Sequence, residues 1–151
     1  MKIIFDHCDV DINDVAIFQQ LVARNAVADY MIDRGADRFR EAITWYEASL
    51  SLNPDDVNVS TDLGVSYYYT NQPDRALEQF MYSLEVEPEH LKTILNIGIV
   101  RAFGKQDLAG AAEAWDRVIV IAPDSPEGRA AQQALESLRS AHAGDVGTTG
   151  S

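Results

Sequence analysis

The residues able to do chemistry are few and badly spaced for it. Asp9-x-Asp11-x-Asn13 has the opening of a calcium loop, but such a loop needs glycine at its sixth position and a bidentate glutamate at its twelfth. Those positions here are Asp14 and Gln20. Asp6-His7-Cys8-Asp9 carries four metal-ligand types in a row, yet adjacent side chains rarely all reach one ion, and no second ligand cluster follows. The three histidines, His7, His90 and His142, stand far apart, and His90, just after Pro88 and Glu89, reads as a surface residue of a turn. No glycine-rich phosphate loop, G-x-S-x-G or H-E-x-x-H occurs. Glu41, Glu47, Glu78, Glu85 and Glu113 fall on helical patterns as solvated faces, not as a catalytic carboxylate pair. We therefore expect no catalytic residue, no metal, no cofactor and no enzyme.

Composition narrows the partners. The 151 residues suit one domain, and 46% of them are hydrophobic, enough for a continuous core. The net charge is −12 and the isoelectric point about 4.4. Such a chain repels phosphate backbones and anionic membranes, so we expect no nucleic acid, and it favours neutral or basic protein partners. A single cysteine, Cys8, permits no internal disulfide. No stretch of 18 apolar residues occurs, and the Met-Lys-Ile-Ile-Phe-Asp start lacks the apolar run of a secretory signal. The expectation is a cytoplasmic protein, or a periplasmic one if the chain is cut from a longer anchored protein.

The elements that must carry any function are repeats. Alanine, an aromatic four residues on, and proline eight residues after that recur as Ala42, Tyr46, Pro54; Ala76, Phe80, Pro88; and Ala111, Trp115, Pro123. The copies lie 34 and 35 residues apart. Upstream, the second copy adds Ser60, Leu63-Gly64 and Tyr67, and the third Ile94, Ile97-Gly98 and Arg101. The first is degenerate there, with Arg24, Val27-Ala28 and Met31. Small residues at Gly64 and Ala76 let paired helices approach, large apolar ones fill the gap between them, and each proline stops a helix. The extra residue of the third copy, between Gly98 and Ala111, falls where a loop can absorb it. Arg101 replaces the usual tyrosine, either packing its stem while its head reaches water or standing as a fixed cation at a groove.

The chain thus resembles the tetratricopeptide repeat (TPR) family over residues 21–123, most closely its bacterial members, whose pattern W-x2-L-G-x2-Y…A-x3-F…P the second copy follows except for the opening tryptophan. The resemblance implies an all-α, right-handed superhelix of three helical hairpins (21–56, 57–90, 91–124). A segment 1–20 leads in, a capping helix spans 125–142, and a Gly/Thr/Ser-rich tail, 143–151, follows, expected to be disordered. Helices are expected over 14–34, 38–52, 57–70, 74–86, 91–104, 107–121 and from Pro126 to about 141.

In TPR proteins the first helix of each pair lines a concave groove. By repeat position the resemblance assigns to it Asn58, Thr61, Val65, Tyr68 and Tyr69, then Lys92, Leu95, Asn96, Ile99, Ala102 and Phe103, and less firmly Val22, Asn25 and Asp29. Because Tyr67 takes the packing position of the Tyr67-Tyr68-Tyr69 run, its two neighbours are left to face the groove or the adjoining repeat. The carboxylate clamp found in some TPR proteins is not reproduced. Its five positions fall on Asn25, Asp29, Asp62, Lys92 and Asn96, where only Lys92 matches and both aspartates would repel a carboxylate. The resemblance implies an adaptor or assembly scaffold that holds a partner's peptide segment, extended or helical, with apolar anchors and basic residues. Self-assembly of a structural homo-oligomer is the alternative.

Overall fold

The computed structural model describes residues 36–149, with side chains from Arg38 to Ser140. The expected helix at 14–34, the first half of the first repeat, and Val22, Asn25 and Asp29 lie outside the described residues. Six α-helices follow one another: α1 (Ala36–Leu52), α2 (Val57–Tyr69), α3 (Pro73–Val86), α4 (Leu91–Ile99), α5 (Leu108–Ile121) and α6 (Pro126–Thr149). No strand occurs among the described residues. Helices α2 and α3 form the second hairpin, α4 and α5 the third, and α1 is the second helix of the first.

Local chemistry sets each boundary. Asp56 caps α2 by accepting a hydrogen bond from the Val59 amide at 3.1 Å. At its far end Asn71 takes a left-handed φ of 63°, and the Gln72 amide reaches back to the Tyr67 carbonyl at 2.8 Å, closing the chain for the turn into α3. Pro73 starts α3, where no helical N–H is needed. Asp107 caps α5 through the Gly110 amide at 2.9 Å, and Ser125 caps α6 through the Gly128 amide at 2.9 Å.

The core runs as one strip through the stack. Phe39, Ala42 and Tyr46 of α1 are buried, as are Leu63 and Tyr67 of α2, Ala76 and Phe80 of α3, Ile94 and Ile97 of α4, and Ala111, Trp115 and Val118 of α5. The small repeat positions sit under the aromatics. A Cβ on Gly64 would come within 2.5 Å of Phe80 Cε1, and one on Gly98 would overlap the edge of the Trp115 indole. That indole also donates to the Leu95 carbonyl at 3.2 Å. Successive hairpins share one further bond. Tyr82 Oη donates to the Pro54 carbonyl at 3.1 Å, and Arg117, 35 residues later, donates to the Pro88 carbonyl at 2.8 Å. Ala131, Ala134 and Leu135 of α6 are buried, while Gln132, Gln133 and Glu136 face solvent, so α6 closes the stack with a polar outer side.

Two features differ from expectation. The extra residue of the third copy is taken up inside the helix, not in a loop. After Ile99 the chain widens into a π turn, Val100–Gly104, in which the Lys105 amide bonds the Val100 carbonyl at 3.0 Å and the Asp107 amide the Arg101 carbonyl at 2.7 Å. The left-handed residue of this turn is Gln106, φ 55°, 35 residues after Asn71, so the two inner turns stay equivalent. Helix α6 continues to Thr149 instead of stopping near 141, running through Gly144 and Gly147 of the expected tail.

Candidate functional site

Seven of the residues expected at a groove, Asn58, Val65, Tyr68, Tyr69, Lys92, Asn96 and Ile99, line two recesses of the second and third hairpins. The first is an apolar slot lined by Val65, Tyr68, Tyr69, Phe80, Asn96, Ile99 and Val100, with room for about one water, 10 Å³. Helix α2 presents Val65 and the two tyrosines, and α4 presents Asn96 and Ile99. Tyr69 packs its ring 4.1 Å from that of Phe39, tilted by 31°, and 5.8 Å from that of Tyr68. Tyr68 also lies against Gly104 of the π turn. Burial raises the Tyr68 phenol to a pKa of about 12, so it is a neutral hydrogen-bonding group at any physiological pH.

The second recess is a polar cleft of about 380 Å³ lined by Asn58, Glu87, Glu89, His90, Leu91, Lys92 and Glu127. Three carboxylates face one lysine and one histidine there. His90 is no simple surface residue. Its Nδ1 shares a hydrogen bond with Thr93 Oγ1 at 2.7 Å, and its Nε2 one with Asn58 Oδ1 at 3.1 Å. The imidazole thereby ties the start of α4 to the start of α2.

Between the recesses the floor is closed. Thr61, Val65, Leu95, Asn96, Ile99 and Ala102 are buried, Tyr68, Tyr69 and Lys92 are half-buried, and Asn58 and Phe103 are exposed. Thr61 and Thr93 share a 2.7 Å hydroxyl–hydroxyl bond across α2 and α4, and Thr61 also donates to the Val57 carbonyl at 2.8 Å. A second buried pair, Ser60 and Ser83 at 2.6 Å, joins α2 to α3, and Gln79 donates to the same Ser60 hydroxyl at 2.6 Å. Sequence reasoning missed these pins. Their one signal was that Ser60, Thr61, Ser83 and Thr93 stand at inward helical positions, where a hydroxyl needs a partner.

The Arg101 guanidinium donates to the Gly110 carbonyl at 3.3 Å, so its charge helps close the third hairpin. Asp62, aligned with a clamp position, is buried in α2. Tyr67, at the packing position, donates to Glu47 at 2.8 Å and accepts from Arg75 at 3.1 Å, whose guanidinium lies 4.2 Å over its ring. Its pKa rises to about 12, chiefly through burial, then through the bond to Glu47 and that residue's charge, with Arg75 opposing.

Among the described residues no group of three histidine, cysteine or carboxylate side chains could converge on a metal ion, and no helix is long and apolar enough to cross a membrane. The slot admits about one water, whereas the cleft is open and lined by charged side chains.

Comparison with known proteins agrees on architecture. No family model matches the sequence, and no curated protein does. Solved structures do. The type III secretion translocator chaperone SycD of Yersinia enterocolitica aligns with a TM-score of 0.61 at 15% identity, over 76% of this chain and 82% of SycD. A second SycD structure, an alternative dimer, aligns with 0.61 at 14% identity, over 78% and 89%. The first TPR domain of human RPAP3 aligns with 0.56 at 23% identity, over 78% and 92%. The repeat pattern, the hairpins and these neighbours together show that the chain has the fold of a tetratricopeptide-type helical repeat array.

Proposed function

We propose that this chain is a non-catalytic binding module, an adaptor or assembly scaffold that holds a peptide segment of a partner protein across its concave face. The observation that carries this is convergence. Residues chosen by repeat position alone fall on one charged cleft, at Asn58 and Lys92, and around a narrow crevice at Val65, Tyr68, Tyr69, Asn96 and Ile99 that admits about one water, so that an apolar anchor would rest on the half-buried tyrosines and not inside it. Tyrosine beside aliphatic side chains gives broad contact with a polar handle. The buried Thr61 and Leu95 shape the floor, while Asn58, Tyr68, Tyr69, Lys92 and Phe103 are the groups a ligand meets. Because Glu87, Glu89 and Glu127 rim the cleft, the segment that fits carries a basic residue beside its apolar anchors. The structural kinship with a translocator chaperone and with a TPR domain supports a protein-handling role.

A peptide array tests this. Random 15-residue peptides are probed with wild type and with the Tyr68→Ala/Tyr69→Ala/Lys92→Ala variant, after the variant is shown to keep its helicity and melting behaviour. The reading expects wild type to select apolar-plus-basic peptides and the variant to lose them. Selection of acidic C-termini alone would overturn it.

A further inference from the structure

His90 sits in the wall of the polar cleft with both ring nitrogens engaged, Nδ1 with Thr93 Oγ1 at 2.7 Å and Nε2 with Asn58 Oδ1 at 3.1 Å. Proton counting fixes the direction of these bonds. Asn58 Oδ1 can only accept, so Nε2 carries a hydrogen in every charge state. Nδ1 is then the nitrogen that gains or loses a proton, and it meets a hydroxyl able to take either role. Behind it the chain continues, from Thr93 Oγ1 to Thr61 Oγ1 at 2.7 Å and from Thr61 Oγ1 to the Val57 carbonyl at 2.8 Å. With the ring neutral, Thr61 donates to Thr93 and Thr93 to Nδ1. With the ring charged, Nδ1 donates to Thr93, Thr93 to Thr61, and Thr61 to the Val57 carbonyl. Two hydroxyl rotations carry one state into the other. Neither ring nitrogen loses its bond, and neither α2 nor α4 has to move.

The ring's other neighbours are charged. Glu87, Glu89 and Lys92 come from its own turn and α4, and Glu127 from α6. The start of α2 adds Asp55 and Asp56, just before Asn58, and α5 adds Arg117, bonded to the Pro88 carbonyl at 2.8 Å. Among the groups lining the cleft, imidazole alone is of a type that changes charge between about pH 5 and 8. Three carboxylates and one ammonium put the lining at −2 with His90 neutral and at −1 with it charged. We propose that His90 gates the cleft by charge: neutral, it admits a cationic side chain of the partner segment, and protonated, it rejects that side chain while the junction of α2 and α4 keeps its shape. The gate rests on the binding reading above and adds its regulation, release of the partner on acidification. A second cation about 7 Å from the bound one, in a cleft open to solvent, weakens binding roughly three- to tenfold.

The test is a magnetic-resonance titration of the full chain at low salt, from about pH 5 to 8. Long-range proton–nitrogen spectra follow the imidazoles, and His90→Gln marks which of the three histidines is His90. The probe is N-acetyl-arginine amide, one guanidinium with no carboxylate, and its affinity is read from the amide shifts of Asn58, Leu91 and Lys92. The expected result is a neutral ring in the Nε2–H form, probe affinity falling about three- to tenfold as the ring charges, and no such fall in His90→Gln. Affinity unchanged across the ring's titration would overturn the proposal, as would a fall that persists in His90→Gln or a neutral ring with its proton on Nδ1. A probe that leaves the cleft amides unmoved at every pH overturns it too. The peptide array fails separately: if no peptide is selected while the probe is still gated, the charge gate stands and the peptide reading alone falls. Should His90→Gln fail to fold, wild type decides, by whether affinity changes at the same pH as the ring.

Discussion

Replacing Gly98 by alanine is the sharpest probe of how the hairpins close. In an open helix the change would stabilise by up to about 1 kcal/mol, through the better propensity of alanine. Here the new methyl overlaps the edge of the Trp115 ring, with Cδ1 at 2.6 Å and Cε2 at 2.7 Å. Such overpacking costs about 1–3 kcal/mol. The indole can yield only by turning, which breaks its buried bond to the Leu95 carbonyl and costs roughly another 0.5–1.5 kcal/mol. The net expectation is a loss of about 1–3 kcal/mol. Urea unfolding followed by far-ultraviolet circular dichroism measures it, with Trp115 fluorescence in a Trp45→Phe background as the local probe. The double change Gly98→Ala/Trp115→Phe should cost less than the sum of the single changes, because the smaller ring frees space for the methyl. A Gly98→Ala variant as stable as wild type, or more so, would refute the close approach of α4 and α5.

The hydroxyl pins make their own forecast. Thr93→Val removes a partner from both Thr61 and His90, although Thr61 keeps its bond to the Val57 carbonyl, and should cost about 1–3 kcal/mol; adding Thr61→Val should restore only the Thr61 share in a urea double-mutant cycle. Asp56→Ala and Asp107→Ala each remove a helix cap and should cost about 1 kcal/mol in the same assay. The phenols of Tyr67 and Tyr68 are raised from 10.0 to about 12, so the folded state holds their protons more tightly than the unfolded one. Their contribution is complete below pH 10 and lost as pH climbs toward 12, which predicts alkaline unfolding in that window. Glu47→Gln removes the carboxylate charge and weakens the bond that help raise Tyr67, so ultraviolet titration should find that phenol ionising at lower pH.

Much of the architecture was legible because a 3.6-residue apolar period and a 34-residue repeat report the same packing. Alanine, aromatic and proline at fixed offsets placed α1 to α5 within one or two residues, and the helical stretch 91–104 ends at Gly104 as expected once the π turn is counted. The π turn itself escaped, because whether a helix or a loop absorbs one extra residue depends on how Gly104 seats on Tyr68 and Pro73, a tertiary fact. The residues expected at the groove came from repeat register, which carries no information on their burial. Register says which way Thr61 and Ile99 point, and only packed neighbours decide whether water reaches them. The pairing of Thr61 with Thr93 joins residues 32 apart, beyond any local pattern. His90 read as a turn residue because its partners, Asn58 and Thr93, sit on two different helices.

The most direct measurement of the central claim is site-specific photocrosslinking in the source cell. On the proposed reading a benzoyl-phenylalanine at Tyr69 or Phe103 would lie at the groove, and one at the exposed Glu85 of α3 or Val120 of α5 would lie away from it. Capture of one and the same partner from Tyr69 and Phe103, but from neither outer position, is the predicted result. Capture from Glu85 or Val120 alone would contradict a concave binding face.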